Sequence, residues 1–321
     1  ASDDFFGFLD ENEGDVEKAL SKSKSYDLDI SIGRIIASNP SDVKIYANKM
    51  RNYYNSKSQA PWRNKLVMVA DDEDSGRYMR ESEVFSKQFE NNYPEFNVKK
   101  IYSDAFKQEI TANGAKYPEV NKTLNREVND GALLVNYIGH GGETGWAEEG
   151  ILTLGDIRSW KNNNALSIFV TATCEFTRFD DPGRVSAGEE VLMSERGGAI
   201  ALLSTTRLVY ATSNDHLLDK LFQNNFFEKH NGRHKTIGEI VRNAKNRYIN
   251  QHRIDENIGK FVTFGSPAIT PAFPEKQVIT TSINSIDIDD GIDTLKALER
   301  VFISGNIVEN DSTIISDFNG T

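Results

Sequence analysis

Short, continuously apolar segments alternate along most of this chain with segments in which apolar residues recur at helical spacing. The apolar segments are 65–70, 132–138, 166–174 and 198–203, and residues 98–102 form a further short strand-like segment. Between them, Val120, Leu124 and Val128 show the four-residue spacing of a helix that packs on one face. Strands that are apolar on both faces and alternate with helices predict an α/β fold with a mostly parallel sheet.

The pattern changes beyond about residue 275. Residues 277–281 and 300–304 are short and strand-like, and no long segment of helical spacing accompanies them. Several short strands without helices are typical of a β-sandwich. We therefore expect the tail to be the start of a small, separate β-domain.

Composition narrows the functional class. The 321 residues are 38% hydrophobic and 26% charged, and the net charge is −11. No run rich in lysine and arginine is present, so nucleic acid is not an expected partner. No apolar stretch reaches the roughly 18 residues of a membrane-spanning helix. One cysteine excludes an internal disulfide bond.

The single cysteine and one of the five histidines each follow an apolar segment. Cys174 ends the segment 166–174, and His140 follows 132–138 within the sequence Gly139-His140-Gly141-Gly142. The carboxyl ends of parallel strands meet at one edge of a sheet, which is where ligands bind. A thiol becomes a nucleophile when a nearby histidine takes its proton. The backbone amides of Gly141, Gly142 and Cys174 are candidates for an oxyanion hole.

A structural interpretation of the same residues stays open. A lone cysteine at the end of a buried strand is often a small core residue, and a histidine between glycines often marks a tight turn. The residues after Cys174 favour the rim of a cleft over a sealed core, because they are mostly polar: Glu175, Thr177, Arg178, Asp180 and Asp181.

Other candidate site residues are less distinctive. The acidic run 71–74 follows a predicted strand, so Asp72 or Asp74 is a candidate to orient the histidine; a solvated loop is the alternative. For substrate binding we propose Glu175, Arg207 and Trp146. Arg207 suits a carboxylate or phosphate but equally a structural salt bridge, and Trp146 suits a pocket wall but equally core packing.

An oxygen-rich segment lies near the N-terminus, at residues 10–15. Its composition suits calcium, but it lacks the regular alternation of an EF-hand loop, which favours a solvated acidic turn. Histidines elsewhere show no spacing typical of a metal site. We expect no catalytic metal and no required cofactor, with a structural calcium ion as the alternative at this turn.

Two segments together resemble the active site of a known enzyme family. Residues 136–147, around His140, and 169–176, around Cys174, are similar to the active-site pair of the gingipain family of cysteine peptidases, whose fold is related to that of caspases. Segments 27–35, 62–74, 196–201 and 264–268 agree with this resemblance. It implies that Cys174 is the nucleophile, His140 the general base and acid, and Gly141 an oxyanion-hole amide.

Residues 172–182 and 186–189 are most similar to the sortase branch of that family, which serves the bacterial type IX secretion system. The resemblance implies an enzyme on the cell surface, at the outer membrane. Such an enzyme removes the C-terminal sorting domain of secreted cargo and transfers the acyl group to water or to an amine of lipopolysaccharide. Its expected partners are the cargo, the lipopolysaccharide acceptor and other outer-membrane proteins of an attachment complex.

The resemblance also implies a domain division. Residues 1–130 correspond to a first gingipain-like subdomain that is incomplete at its N-terminus, 131–275 to the catalytic subdomain, and 276–321 to the start of an immunoglobulin-like β-domain. Two other functions remain alternatives: a degradative protease with the same chemistry, and a non-catalytic surface scaffold protein with the same fold.

Overall fold

A computed structural model of the chain describes residues 2–11, 13, 27–55, 58–112, 114–252, 254–291, 294–309 and 313–318. The chain divides into two compact units, Ala1–Ala272 and Phe273–Thr321. Each unit is described by itself. Within the acidic turn predicted at residues 10–15, Asn12, Gly14 and Asp15 lie outside the described residues, so the turn and its calcium alternative stay predictions.

The strands of the first unit are β1 (Lys65–Ala70), β2 (Asn97–Tyr102), β3 (Glu109–Thr111), β4 (Gly114–Lys116), β5 (Leu134–Ile138), β6 (Gly141–Gly142), β7 (Gly145–Trp146), β8 (Leu152–Thr153), β9 (Ser167–Ala172), β10 (Ala199–Thr205), β11 (Lys229–His230), β12 (Arg233–His234) and β13 (Phe261–Phe264). Its helices are α1 (Pro40–Tyr53), α2 (Glu73–Asn92), α3 (Pro118–Asp130), α4 (Leu154–Ser159), α5 (Ala187–Met193), α6 (Ala211–Phe222), α7 (Ile237–His252) and α8 (Glu256–Lys260). Each of the four apolar segments of the sequence contributes a strand, and so does the segment 98–102.

Six strands form the central sheet, in the order β13-β10-β9-β5-β1-β2. All neighbours are parallel except β13, which runs antiparallel to β10. The central strands β5 and β9 are buried along their whole length, because helices cover both faces of the sheet. The predicted α/β fold with a mostly parallel sheet is therefore confirmed.

Alternate residues of each strand serve two different packing layers. Val67 and Val69 belong to a core cluster that includes Leu124 of α3 and Val191 of α5, while Leu66 of the same strand is equally buried on the opposite face. On the helical layer formed by α2 and α6, aromatic rings pack edge to face: Phe85 on Phe222 and Phe89 on Phe222. The two-sided burial explains why a strand such as β1 has apolar residues on both faces instead of alternating apolar and polar ones.

The sheet spans the boundary predicted at residue 130. Strands β1 and β2 come from residues before it, and β5, β9, β10 and β13 from residues after it. The second unit begins three residues before the predicted 275/276 boundary. Its described strands, β14 (Lys276–Ile283), β15 (Ile286–Asp287) and β16 (Ile303–Glu309), form an antiparallel sheet in the order β15-β14-β16. A complete sandwich there stays a prediction.

A lysine is buried where α1 packs against α5. Lys49 is 1% exposed, and its Nζ donates to the backbone carbonyls of Leu192 at 2.6 Å, Gly197 at 2.9 Å and Val191 at 3.4 Å. These include carbonyls of the last turn of α5, which lack partners within the helix. Burial disfavours the charged ammonium and lowers the pKa of Lys49 to about 7.

This burial predicts a pH dependence of stability. Between about pH 7 and 10.5 the unfolded lysine binds a proton that the folded one does not, so Lys49 makes stability rise with pH by up to about 1.4 kcal/mol per unit. We expect Lys49→Met to flatten this slope, measured by urea unfolding at pH 7, 8 and 9. Lys44→Met is a suitable control because Lys44 is exposed on the same helix. Equal slopes in the wild type and Lys49→Met would contradict a shifted lysine.

In the part of the chain that the structure describes, no helix is both long enough and apolar enough to cross a membrane.

Candidate active site

The strands that precede Cys174 and His140 are neighbours in the sheet. Strands β5 and β9 pair in parallel, with Ile138 opposite Ala172, and the amide of Gly139 donates to the carbonyl of Ala172 at 3.4 Å. Each candidate residue follows the last paired residue of its strand by two positions. The structure therefore brings the thiol and the imidazole to the same edge of the sheet, as the sequence predicts.

The backbone around His140 is held from both sides. Its amide donates to Asp71 Oδ2 at 3.0 Å, and its carbonyl accepts from the Tyr137 hydroxyl at 2.6 Å. A Cβ at Gly139 would lie 2.4 Å from the Cβ of Asp71, so glycine is required for this close approach. Asp71 is fully buried, and burial raises the pKa of its carboxyl to about 6. It remains mostly ionised at neutral pH and fixes the histidine loop.

The His140 imidazole is surrounded by groups from the start of α2. Its Nε2 lies 3.3 Å from Glu73 Oε2 and 3.7 Å from Asp74 Oδ2. The Tyr78 hydroxyl is also 3.3 Å from Nε2, and the tyrosine ring meets the imidazole edge-on at 5.4 Å. A carboxylate only accepts hydrogen bonds, so Nε2 carries the proton toward Glu73. That tautomer leaves Nδ1 free to take a proton from a thiol.

An unusual turn places these acids. Asp74, Ser75 and Gly76 have φ values of 53°, 56° and 71°, which interrupt the helical geometry inside α2. Non-glycine residues adopt this left-handed region at a cost, and such strain is common at functional sites. The Tyr78 hydroxyl donates to Asp74 Oδ2 at 2.6 Å, and Arg80 donates to the carbonyl of Ser75 at 2.8 Å. These contacts hold the strained turn beside the imidazole.

Asp72, the other predicted orienting acid, faces a different direction. Its Oδ2 accepts from the Tyr117 hydroxyl at 2.6 Å, and its amide donates to Asp71 Oδ1 at 3.0 Å. The described contacts of its carboxylate do not include His140. Of the two candidates from the sequence, the structure brings Asp74 to the histidine, and it adds Glu73 at a shorter distance.

Buried hydroxyls secure the chain that carries Cys174. The Thr205 hydroxyl donates to the Thr173 carbonyl, and the hydroxyls of Thr171 and Thr177 donate to Ser204 Oγ at 2.8 Å and 2.7 Å. The half-buried thiol of Cys174 lies 3.8 Å from the carbonyl of Val209, which follows β10. Cys174 is thus not sealed in the core, and its thiol contacts the β10 side of the edge.

The turn after Cys174 uses two of the predicted substrate-binding residues. Glu175 has a φ of 50°, and its amide donates to the Arg207 carbonyl at 3.3 Å. The Arg207 guanidinium makes two hydrogen bonds to Asp180, at 2.9 Å and 2.6 Å. This pairing holds the pKa of Asp180 at about 2. The Arg207 guanidinium therefore forms a structural salt bridge, which was the predicted alternative to substrate binding.

Glu143 links the histidine loop to the cysteine loop. Its carboxylate lies 2.8 Å from Arg178 Nη1 and 2.9 Å from Arg184 Nη1, and its carbonyl accepts from the amide of Ala187 at 2.7 Å. Glu175 lies 3.9 Å from the same Arg178 and remains partly exposed at the rim. The ion pairs fix one loop relative to the other, which a two-residue catalytic site requires.

Trp146 and Gly141 are placed by packing. Trp146 is 0% exposed and stacks on Tyr137 at 4.3 Å, so its side chain lies in the core and does not face a substrate pocket. A Cβ at Gly141 would lie 2.6 Å from Thr173 Oγ1 and 2.9 Å from the Gly145 carbonyl. Only glycine fits there, which keeps its amide close to the Cys174 segment.

A cleft of about 790 Å³ lies next to His140. Its wall comprises Glu73, Lys116, His140, Gly141, Gly142, Thr144, Gly145, Ala147, Glu148, Gly150, Leu152, Thr153, Leu154 and Gly155. Cys174 is not part of this wall. In the described part of the chain, no group of three or more His, Cys, Asp or Glu side chains has an arrangement suited to a metal ion.

Sequence reasoning did not select Glu73 or Tyr78. Glu73 lies inside the acidic run 71–74, but the direction of each carboxylate depends on the left-handed turn. Tyr78 follows Asp74 by four residues, which is the spacing of neighbours on one helical face. This spacing was the one feature of the sequence that could have indicated the contact between Tyr78 and Asp74.

A model of peptidase family C25 matches residues 1–272. The structure of the Arg-specific cysteine proteinase gingipain R superposes with a TM-score of 0.69 at 18% identity, over 87% of this chain and 62% of that one. The complex of pro- and mature domains of RgpB from Porphyromonas gingivalis superposes with a TM-score of 0.67 at 18% identity, over 87% and 63%.

A third structure, dimeric latent PorU from Porphyromonas gingivalis, is 24% identical over 98% of this chain and 23% of that one, with a TM-score of 0.39. The superpositions on the gingipain structures show that this chain has their fold. The chain spans about three fifths of the length of the gingipain structures that it matches. No curated protein matches the sequence.

Proposed function

The chain belongs to peptidase family C25, a family of cysteine peptidases, and from this premise we propose that it is an endopeptidase and transpeptidase of the sortase kind. Cys174 is the nucleophile, and His140 is the general base and acid. The acyl group passes first to the thiol and then to an amine or to water.

One observation carries the catalytic part of this proposal. The residues that follow two adjacent parallel strands are a half-buried thiol and an imidazole whose Nε2 faces Glu73. A core cysteine would need neither a partly exposed position nor a histidine that follows the neighbouring strand and lies next to a carboxylate. Gly139 and Gly141 have no side chain, so other groups can come close to the backbone there. A substrate carbonyl that binds to backbone amides needs the same close approach.

The reaction then proceeds in balanced steps. His140 takes the thiol proton, and the thiolate attacks the scissile carbonyl, with amides such as that of Gly141 stabilising the oxyanion. The C–N bond breaks as His140 returns the proton to the leaving amine, which leaves a thioester on Cys174. An incoming amine attacks the thioester, its proton passes to His140, and the C–S bond breaks. Glu73 stabilises the imidazolium that forms in each half-reaction.

The sortase part rests on the resemblance of residues 172–182 and 186–189 to that branch of the family. It assigns a place at the cell surface, on the outer membrane. It also assigns secreted cargo with C-terminal sorting domains as the substrate, an amine of lipopolysaccharide as the acceptor, and attachment-complex proteins as partners. A degradative protease would use the same Cys174 and His140 with water alone as the acceptor.

The acceptor distinguishes the two functions. We expect a peptide thioester incubated with the protein and rising concentrations of glycinamide to give an increasing fraction of amide product. Mass spectrometry measures the ratio of amide to acid, and Cys174→Ala corrects for uncatalysed aminolysis. Acid as the sole product at every glycinamide concentration would rule out transpeptidation and favour the degradative protease.

A further inference from the structure

The wall of the cleft includes His140 and does not include the nucleophile, Cys174. In the sheet order β10-β9-β5-β1, Cys174 follows β9 and contacts the Val209 carbonyl after β10. His140 follows β5 and forms part of the cleft wall together with Glu73, from the β1 side. Along this edge of the sheet, the neighbours of Cys174 away from His140 therefore come from β10, and the neighbours of His140 away from Cys174 come from the β1 side.

The chemistry assigns these two regions different parts of a substrate. A general acid must reach the nitrogen that leaves, so the leaving group lies on the imidazole side of the scissile bond. A general base must reach the amine or water that attacks the thioester, and the His140 imidazole is also this base. The released peptide and the incoming acceptor therefore occupy the same region in turn, which here is the cleft next to His140.

Several glycines, which have no side chain to cover the backbone, line the cleft. A Cβ at Gly142 would meet nothing within 4 Å, and one at Gly155 would meet only Thr153 Oγ1, at 3.6 Å. Neither position needs glycine for steric reasons, and Gly155 stands in the first turn of α4, where alanine would form helix more readily. Glycine at these two positions keeps the wall open for a ligand that approaches the backbone.

The charge around the cleft is mostly negative. Glu73 and Glu148 belong to its wall. Their sequence neighbours Asp72 and Glu149 each have one buried carboxylate oxygen with no hydrogen-bond partner in the described structure. Lys116 is the one cationic side chain of the wall, and its Nζ donates to the Glu148 carbonyl at 2.7 Å. An excess of negative charge favours a cationic ligand over an anionic one.

We propose that this cleft binds the peptide segment on the C-terminal side of the scissile bond and, after its release, the amine that accepts the acyl group. The proposal rests on the proposed function, because it assigns both occupants of one transfer reaction to one site. The acceptor class is a primary amine that carries positive charge. Its neutral form attacks the thioester carbonyl, the new C–N bond replaces the C–S bond, and its proton passes to His140.

A bulky residue at Gly155 tests the proposal. Gly155→Leu projects a side chain into the cleft away from the catalytic pair, while Ser159→Leu adds the same side chain at an exposed position of α4 outside the cleft wall. Two substrates share one acyl peptide: an ethyl thioester, with a small leaving group, and a form extended by four residues beyond the scissile bond. Lysinamide and glutamic acid α-amide serve as acceptors, and melting temperatures confirm that both variants fold.

We expect Gly155→Leu to lower kcat/KM for the extended substrate by at least about tenfold and to lower the amide-to-acid ratio with lysinamide by a similar factor. Hydrolysis of the ethyl thioester should stay within about twofold, and Ser159→Leu should match the wild type throughout. In the wild type, lysinamide should give more amide than glutamic acid α-amide, and added salt should reduce the difference.

The outcomes separate two failures. A wild-type protein that leaves the ethyl thioester unchanged contradicts the proposed function itself. A wild-type protein that turns over both substrates, with Gly155→Leu indistinguishable from Ser159→Leu, overturns the cleft assignment alone. A preference for glutamic acid α-amide overturns the cationic class of the acceptor.

Discussion

Replacing Cys174 by alanine is expected to abolish turnover and to leave the fold intact. Without the sulfur no thioester forms, and loss of the nucleophile in comparable hydrolases costs about 10⁶ in kcat. The structural cost is small, because the thiol is half-buried and its described contact is a long hydrogen bond to the Val209 carbonyl at 3.8 Å. A weak hydrogen bond of this kind contributes less than about 1 kcal/mol.

The measurement pairs activity with stability and labelling. Thioester turnover, melting temperature and circular dichroism are compared for the wild type, Cys174→Ala and Cys174→Ser. Because Cys174 is the only cysteine, one alkylation event per chain in the folded wild type reports on this thiol directly. Loss of the fold in Cys174→Ala, or no labelling of the native wild type, would support the core-cysteine interpretation and contradict both enzymatic functions.

The central architecture follows from the sequence because its strands are buried on both faces. A strand of that kind is mostly apolar on both faces, so 132–138 and 166–174 stand out among polar neighbours. Once the strands are parallel, their carboxyl ends share an edge, so Cys174 and His140 are expected at the same edge of the sheet. That the two residues are neighbours on this edge depends on the pairing of β5 with β9, which the structure shows and the sequence pattern does not.

Side-chain direction was not predictable in the same way. Which acid meets His140 depends on three consecutive left-handed residues, Asp74 to Gly76, and two of them are not glycine, so no local preference signals the turn. The partner of Arg207 is Asp180, 27 residues earlier in the chain, and Trp146 is buried by stacking on Tyr137. These outcomes depend on tertiary contacts, which composition and periodicity do not encode.

Replacing His140 by alanine is expected to lower kcat/KM for an extended peptide substrate by about 10²–10⁴, the usual contribution of general acid–base catalysis. The side chain is 45% exposed, so its removal leaves no buried cavity and the melting temperature should change little. His230→Ala is a matched control, because His230 is also exposed and lies in the β11–β12 hairpin. A His140→Ala rate within about threefold of the wild type would exclude His140 as the base.

The pH dependence of the His140→Ala defect separates the two roles of the imidazole. At pH 9 to 10 a free thiol is largely ionised without a base, so the variant should regain much of its rate on an ethyl thioester, whose leaving thiolate needs no proton. On a peptide bond the defect should persist at the same pH, because the departing amine still requires an acid. Equal recovery on both substrates would mean that His140 serves only to ionise Cys174, and that another group protonates the leaving amine.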